Sequence, residues 1–358
     1  MPLTRPLLHP LAASLPADLV RTLVTHGGVS LGHAAQTGLI GLCSMLNAPF
    51  AWIERVRTRA TAAGPLDPPP LFIVGHWRSG TTLLHNLLSR DPRFCFPTIP
   101  DVLRPHSFYP SPFEFISRTL LLRSLPAVRP MDGMPLRVDL PQEDEIALAV
   151  MGAPSSFNCL YFPRRMERIF AEEVLFDGAP PHMLTAWRSC LTGYFGKLAR
   201  LAPGRRLLVK NPAHSARIDE LRHLFPGAKF IHIHRDPIEV LASTRKLYRT
   251  MLRLVALQPY DMAKVEDHIV RAYGGLLDRL HAGLSRLAPA DRVELAYADL
   301  VADPAAAISR IYGHFGLTGF ESAWPAMQRL LEEDRPNAGL TDAADREFAR
   351  RHYREATA

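Results

Sequence analysis

The spacing of apolar positions changes character near residue 71, which divides the chain into a helical beginning and an alternating α/β body. Residues 1 to 60 read as two or three helices. In "SLPADLVRTLVTH" the apolar positions include Leu19, Val20 and Leu23, with Ser14 placed to cap and Pro16 in the first turn. "TAAGPLDPPP", ending at Pro70, is a rigid linker. "LFIVG" (71 to 75) is then a continuous apolar run, as expected of a buried parallel strand. "TTLLHNLLSRD" restores helical spacing, with Leu83, Leu84, Leu87 and Leu88 on one face.

Residues 91 to 204 are less regular. Two proline-rich stretches, "RPHSFYPSPFEF" and "SLPAVRPMDGMPLRVDLPQEDE", are separated by helical "EFISRTLLLRS". This region is expected to form an excursion over the sheet and a wall for a second substrate. Phe108, Tyr109, Phe113, Phe115, Phe157, Tyr161 and Phe162 either line an acceptor pocket there or pack as ordinary core. "PQEDEIALAVM" should open a helix with Asp139 as cap and Gln142 three residues on.

Alternation becomes clear after Gly204. "RRLLVK" reads as a strand and "SARIDELRHLF" as a helix ended by Pro226–Gly227. "AKFIHIHR" is a second strand, and "PIEVLASTRKLY" a helix with Pro237 in its first turn. A long helix covers about 261 to 288, "RVELAYADL" is a third strand, and "DPAAAISRIYGHF" leads back into a helix. This repetition predicts an α/β fold with a mostly parallel central sheet flanked by helices. The expected organisation is a helical extension over 1–65 packed on the core, a main domain over 66–330 and a tail helix over 331–358. Ligands of such sheets collect beyond the C-terminal ends of the strands. That rule puts Gly75–Gly80, Lys210–His214 and Arg235–Asp236 along one rim.

Composition narrows the partners. Hydrophobic residues make up 47% and charged residues 22% of 358, a globular balance rather than a disordered one. The net charge of +7 suits an anionic ligand or surface. No run of five or six basic residues appears, and the clusters are rich in arginine, which favours multidentate contacts to phosphate. A discrete anion site is therefore expected rather than a nucleic-acid tail. Cys43, Cys95, Cys159 and Cys190 form no CxxC pair, and reduced buried thiols in a cytoplasmic protein are expected. From Thr22 to Ile53 there is no Asp, Glu, Lys or Arg, yet His26, His33, Gln36, Asn47 and Pro49 interrupt the stretch. A helical pair packed on the body is expected from it, with weak peripheral contact to the inner face of a membrane as the alternative.

Candidate chemistry starts at "GHWRSGTT", residues 75 to 82. Strand, glycine turn and helix make a phosphate cradle, with Arg78 inside the turn and the hydroxyls of Thr81 and Thr82 beside it. A triphosphate loop would carry Lys after Gly80, and this chain has Thr81. No clear magnesium aspartate follows an apolar strand either, although Asp236 and Asp299 are candidates. A small-metabolite kinase using ATP and magnesium is thus a secondary reading, as is a non-catalytic nucleotide or nucleic-acid binder. In "HRDPIEVLAS", Arg235 ends a strand and Ser243 lies about two turns into the next helix. The pair can grip a second phosphate, and two anion sites fit a nucleotide phosphorylated at both ends of its ribose.

"FIVGHWRSGTTLLHNLL" together with "KFIHIHRDPIEVLAS" resembles the 3′-phosphoadenylyl-sulfate-dependent sulfotransferases, on the bacterial and tyrosylprotein-type branch. "VELAYADL" is similar to a Tyr-Glu-Asp-Leu element of that family, and the likeness runs from about Leu71 to Leu317. The resemblance implies a fold like that of P-loop nucleotide triphosphatases and transfer of a sulfuryl group to a hydroxyl or, less favourably, an amine. The implied donor is 3′-phosphoadenylyl sulfate, the implied product adenosine 3′,5′-bisphosphate, and no catalytic metal is needed. Carried over, the loop of Gly75, His76, Trp77, Arg78, Ser79, Gly80, Thr81 and Thr82 holds the 5′-phosphosulfate, and Arg235 with Ser243 holds the 3′-phosphate.

"LLVKNPAHS" resembles the Lys-Asp-Pro element whose lysine assists transfer, so Lys210 is the expected stabiliser of the leaving oxygen. A base must take the acceptor proton. His214 shares the Lys210 loop, and Glu143, Asp144 and Glu145 sit in a Pro-x-Glu-Asp-Glu element like that of bacterial relatives. Glu143 stands narrowly ahead of His214. The tyrosylprotein branch has a glutamate shortly after its first helix, where "FCFPTIPDVLRPH" offers only Asp101 or His106. His76 touches either phosphosulfate or acceptor, or packs the loop; His85, His232 and His234 are expected in packing.

Overall fold

A computed structural model describes residues 9–58, 65–107, 137–333 and 341–356. Helices α1 (Pro16–Thr25) and α2 (Ala34–Thr58) precede strand β1 (Leu71–Val74), helix α3 (Thr81–Leu88) and strand β2 (Phe94–Cys95). Next come α4 (Ile99–Leu103), α5 (Asp144–Val150), α6 (Phe157–Tyr161), α7 (Met166–Ile169) and α8 (Pro181–Leu201). Then follow β3 (Arg206–Lys210), α9 (Ile218–Leu224), β4 (Lys229–His234), α10 (Pro237–Val255) and α11 (Met262–Ser285). Strand β5 (Arg292–Ala296) leads to α12 (Tyr297–Ala302), α13 (Pro304–His314), α14 (Phe320–Glu333) and α15 (Ala343–Ala356). The helix expected over "EFISRTLLLRS" and the aromatics Phe108, Tyr109, Phe113 and Phe115 lie outside the described residues.

The described chain forms two compact units. One comprises residues 65–96, 198–246 and 269–358 and contains the sheet. Its strands run in the order β2-β3-β1-β4-β5, and every neighbouring pair is parallel. The chain leaves β1 toward β2 and β3, then crosses back to β4 on the other side. The end of β1 is therefore the topological switch point, where ligands of open parallel sheets bind. Ile73 lies level with Lys210 and Ile231, so alternation sends these three side chains to one face. Leu71, Ile73, Leu208, Ile231 and Leu295 on that face pack with Leu84 and Leu88 of α3 and with Ile308 and Ile311 of α13. The four consecutive apolar residues of β1 are all buried, which is why that run lacks polar alternation.

The other unit comprises residues 1–64, 97–197 and 247–268. A buried network holds part of it together. His26 pairs with Glu173 at 2.6 Å, and the other Glu173 oxygen accepts the Ser155 N–H at 2.9 Å and the Asn158 amide at 2.8 Å. Phe162 stacks on His26 with ring centres 4.8 Å apart, and Tyr161 packs on His9 at 4.6 Å. Both aromatic side chains are fully buried, as core packing rather than pocket wall.

Three local expectations are corrected. Ser14 does not cap α1; its N–H closes the preceding turn on the Leu11 carbonyl, and Leu15 takes the cap position, with Pro16 opening the helix. Asp139 does not cap α5, because the Gln142 N–H is committed to the Pro97 carbonyl at 2.8 Å and helical geometry starts only at Asp144. The run "RVELAYADL" is strand only to Ala296; Tyr297 onward is helix.

Candidate active site

The unit with the sheet brings the ends of β1, β3 and β4 side by side, and the loop from 75 to 80 is shaped by close backbone approaches. Gly75 has φ +148°, and a Cβ there would lie 2.3 Å from the Ile233 carbonyl oxygen. The Ser215 hydroxyl accepts the Gly75 N–H at 2.9 Å and donates to the Gly75 carbonyl at 3.0 Å. One side chain thereby ties the start of the loop to the segment that follows Lys210. At Gly80, φ is +99°, and a Cβ would stand 2.2 Å from Cδ2 of Tyr297. Only glycine meets both demands at either position.

Arg78 adopts φ +70°, a left-handed conformation that is uncommon outside glycine. Its Nε donates to the Ser243 hydroxyl at 2.8 Å. Ser79 is buried, and its hydroxyl has no hydrogen-bond partner among the described residues. The N-terminus of α3 carries no side-chain cap; Thr81 opens it buried and Thr82 half-buried. An unsatisfied buried hydroxyl, uncapped N–H groups and a guanidinium around one turn suit an anion, which would satisfy all three. His76 beside them is neutral. Burial draws its pKa down to about 4, its Nδ1–H donates to the Trp77 carbonyl at 2.8 Å, and its ring lies 4.7 Å from Tyr273. The Trp77 side chain is half-buried.

Arg235 follows β4. Its guanidinium pairs with Glu239 at 2.5 Å and stacks over the Tyr297 ring, 4.5 Å from its centre. Tyr297 therefore stands between Arg235 and Gly80, while Ser243, expected beside Arg235, holds Arg78. The two elements expected at opposite ends of one nucleotide are joined by these contacts within a single unit. Sequence reasoning missed the parts played by Tyr297 and Ser215. The first was hidden by reading "AYADL" as strand, and the second had no signal, because its partner lies 140 residues away.

Lys210 is buried at the end of β3, on the α3 side of the sheet by its register with Ile73. His85 of α3 is fully buried, and its pKa is held well below the usual histidine value by burial and then by the Lys210 charge. The ammonium thus faces a neutral imidazole. His214 is not grouped with it. It is fully buried edge-on to Phe72, 5.9 Å between ring centres, on the opposite face of β1 from Ile73. Burial, and then the charges of His234 and His281, lower His232 to about 4.

Glu143, Asp144 and Glu145 belong to the other unit. Glu143 is the half-buried N-cap of α5, Asp144 is fully buried, and Glu145 accepts the Ser156 N–H at 2.6 Å. In the same unit Asp101 is spent in a capping box, accepting the Thr98 N–H at 2.8 Å and its hydroxyl at 2.6 Å. His106 is lowered to about 4, first by burial and then by Lys197 and Arg55. In the sheet unit Asp236 caps α10 by accepting the Glu239 N–H at 3.0 Å. Among the described residues no group of three His, Cys, Asp or Glu side chains is arranged to hold a metal ion.

Comparison with known proteins extends this geometry. Residues 69–322 match a family model described as "Sulfotransferase family". Omega-hydroxy-beta-dihydromenaquinone-9 sulfotransferase Stf3 of Mycobacterium bovis and that of Mycobacterium tuberculosis are each 36% identical over 291 residues, covering 81% of this chain and 74% of theirs. Among solved structures, sulfotransferase STF9 from Mycobacterium avium superposes with a TM-score of 0.65 at 19% identity, covering 96% of this chain and 95% of its own. Sulfotransferase STF1 from Mycobacterium tuberculosis gives 0.61 at 20%, covering 94% and 90%. At such identities the two structures establish the shared fold.

Proposed function

Because this chain belongs to the sulfotransferase family and is a transferase enzyme, we propose that it moves a sulfuryl group from 3′-phosphoadenylyl sulfate to the hydroxyl of a small or lipid-like acceptor. The observation that carries this reading is the coupling of Arg78 to Ser243 and of Arg235, through Tyr297, to Gly80. Two guanidinium groups on one rim match a nucleotide with phosphate at both ends of its ribose. The unsatisfied Ser79 hydroxyl and the α3 N-terminus suit the phosphosulfate oxygens. The absent triphosphate-loop lysine speaks against ATP.

In the proposed step the acceptor oxygen forms a bond to sulfur as the bond from sulfur to the bridging oxygen breaks. Adenosine 3′,5′-bisphosphate leaves with that electron pair. Negative charge grows on the bridging oxygen, and Lys210 at the end of β3 is the cation suited to stabilise it. Its neighbour His85 is neutral and adds no opposing charge. The acceptor proton passes to a base. For that part the sequence offers Glu143 ahead of His214, whose full burial against Phe72 favours packing. A lipid-like alcohol is supported by the 36% identical relatives, named for a hydroxylated dihydromenaquinone. No described helix is long and apolar enough to cross a membrane, and a cytoplasmic protein touching the inner face of a membrane fits that acceptor.

The test is transfer of labelled sulfate from the donor to hydroxylated lipids by wild type and Lys210→Ala. The variant is expected to lose turnover by about 10²–10³-fold, the range for removing one group that stabilises developing negative charge, with little change in bisphosphate affinity. Equal losses in both would make Lys210 a positioning residue. Absence of transfer to any hydroxyl compound would overturn the reading.

A further inference from the structure

In the unit that holds α1 and α2, the long helix α2 presents its more apolar side to solvent. The inward positions are Ile40, Ser44, Asn47, Ala51 and Glu54, and three of these five are polar. Ser44 donates to the Ser14 carbonyl at 2.8 Å, Asn47 to the Ala12 carbonyl at 2.9 Å, and Glu54 pairs with Lys197. The outward positions include Leu39, Leu42, Met45, Leu46, Phe50, Trp52 and Val56, with Arg55 between the last two. Leu46 is 62% exposed and Trp52 67%; Val24 at the end of α1 is 75% exposed and Leu31 in the turn 94%. Single exposed apolar residues are ordinary, but a row of them along one helix marks an interaction surface.

A cavity of about 520 Å³ adjoins the turn between the two helices. Arg165 reaches from its wall to the Thr25 carbonyl at 2.8 Å. Gln258 donates to the Gly28 carbonyl at 2.7 Å and accepts the Arg164 N–H at 3.3 Å. The lining carries Arg164, Arg165, Arg168 and Lys264 against the carboxylates of Glu167 and Asp261. Of those acids Glu167 faces His268 of the same lining at 3.2 Å, and Asp261 caps the Ala263 N–H at 3.0 Å. Arg168 pairs with Glu172 at 2.9 Å. Among the described residues Arg164, Arg165 and Lys264 then have no acidic partner. A hollow in which basic side chains outnumber carboxylates therefore sits at the turn from which the apolar face departs.

We propose that this unit docks on an anionic phospholipid bilayer, with Leu42, Leu46 and Trp52 at the headgroup–acyl boundary and Arg164, Arg165 and Lys264 holding the lipid phosphate. An interfacial helix with basic side chains alongside it binds in this way through buried apolar area plus attraction to anionic lipid. The complementarity of charge selects the bilayer over a second copy of this chain, which would bring the same cations to the contact. All of these residues belong to this unit, and none of them is part of the nucleotide site.

The experiment is cosedimentation of the full chain with vesicles of phosphatidylcholine alone or mixed with phosphatidylglycerol, at low and high salt. Wild type is expected to bind the anionic vesicles more tightly and to lose the preference as salt screens the charges. The double variant Arg164→Gln/Lys264→Gln should bind anionic vesicles about 25-fold more weakly, about fivefold per charge removed. Leu42→Ser/Leu46→Ser/Trp52→Ser should lose binding to both kinds of vesicle while melting at the wild-type temperature. Failure of wild type to sediment with anionic vesicles, or the same binding to both kinds, overturns the proposal. So does a wild-type dimer that leaves the vesicles unbound and is broken by the triple serine variant, since that assigns the face to a second copy.

Discussion

Replacing Gly80 by alanine tests whether the anion loop and the Arg235 region form one assembly. The added methyl would stand 2.2 Å from Cδ2 of Tyr297, on backbone held at φ +99°. Two costs follow. A side chain in left-handed backbone costs about 1–2 kcal/mol, and forcing a methyl into an occupied site costs about 1–3 kcal/mol. Equilibrium urea unfolding should therefore show Gly80→Ala destabilised by about 2–5 kcal/mol. In a Tyr297→Ala background the clash disappears and only the backbone part remains, about 1–2 kcal/mol. The shortfall in the double variant is the signature of the contact, since residues that do not touch add to within about 0.5 kcal/mol. Displacing Tyr297 also withdraws the ring on which Arg235 rests, so nucleotide affinity should fall in Gly80→Ala. If the alanine costs the same in both backgrounds, Tyr297 does not press on the loop and the coupling assigned to it is wrong.

Ser79→Ala separates binding from folding. It removes a buried hydroxyl without a partner, so unfolding stability should stay level or rise. Bisphosphate affinity should drop by about 1.5–3 kcal/mol, the worth of a hydrogen bond to a charged group; calorimetry showing unchanged affinity would remove Ser79 from the site. Acidification should also weaken the fold. Burial lowers His9, His76, His106 and His232 from the ordinary 6.5 to about 4. Between those values the unfolded chain takes up protons that the folded one refuses, so stability falls as pH drops from 6.5 toward 4 and is level in these groups above that window. Urea midpoints followed from pH 7 to pH 4.5 should decline, and a flat profile would show that these imidazoles are not desolvated.

The parts legible in the chain were those that local physics decides. Strands β1 and β3 are marked within a residue or so by unbroken apolar runs, and β4 by Phe230, Ile231 and Ile233 around the buried His232. Gly75, Arg78 and Gly80 declared a turn by spacing, and each has positive φ. Strand β2 spans only Phe94–Cys95, too short for any period to show. What hid the rest was tertiary contact. Ser243 follows Arg235 closely in sequence, yet the helical turn aims its hydroxyl at Arg78. Lys210 and His214 share a short loop but fall on opposite faces of the sheet. The charge-free stretch from Thr22 to Ile53 suggested helices packed on the body, whereas on α2 Ser44, Asn47 and Glu54 face in and the leucines face out.

On the proposed reading Arg78 and Arg235 serve one doubly phosphorylated adenosine. Calorimetric titration of wild type and Arg235→Ala with adenosine 3′,5′-bisphosphate, set against ATP with magnesium, tests it most directly. Wild type is expected to prefer the bisphosphate, and Arg235→Ala to lose about 1.5–3 kcal/mol of that affinity. Tighter binding of magnesium ATP, or an Arg235→Ala chain that binds the bisphosphate as wild type does, would contradict it.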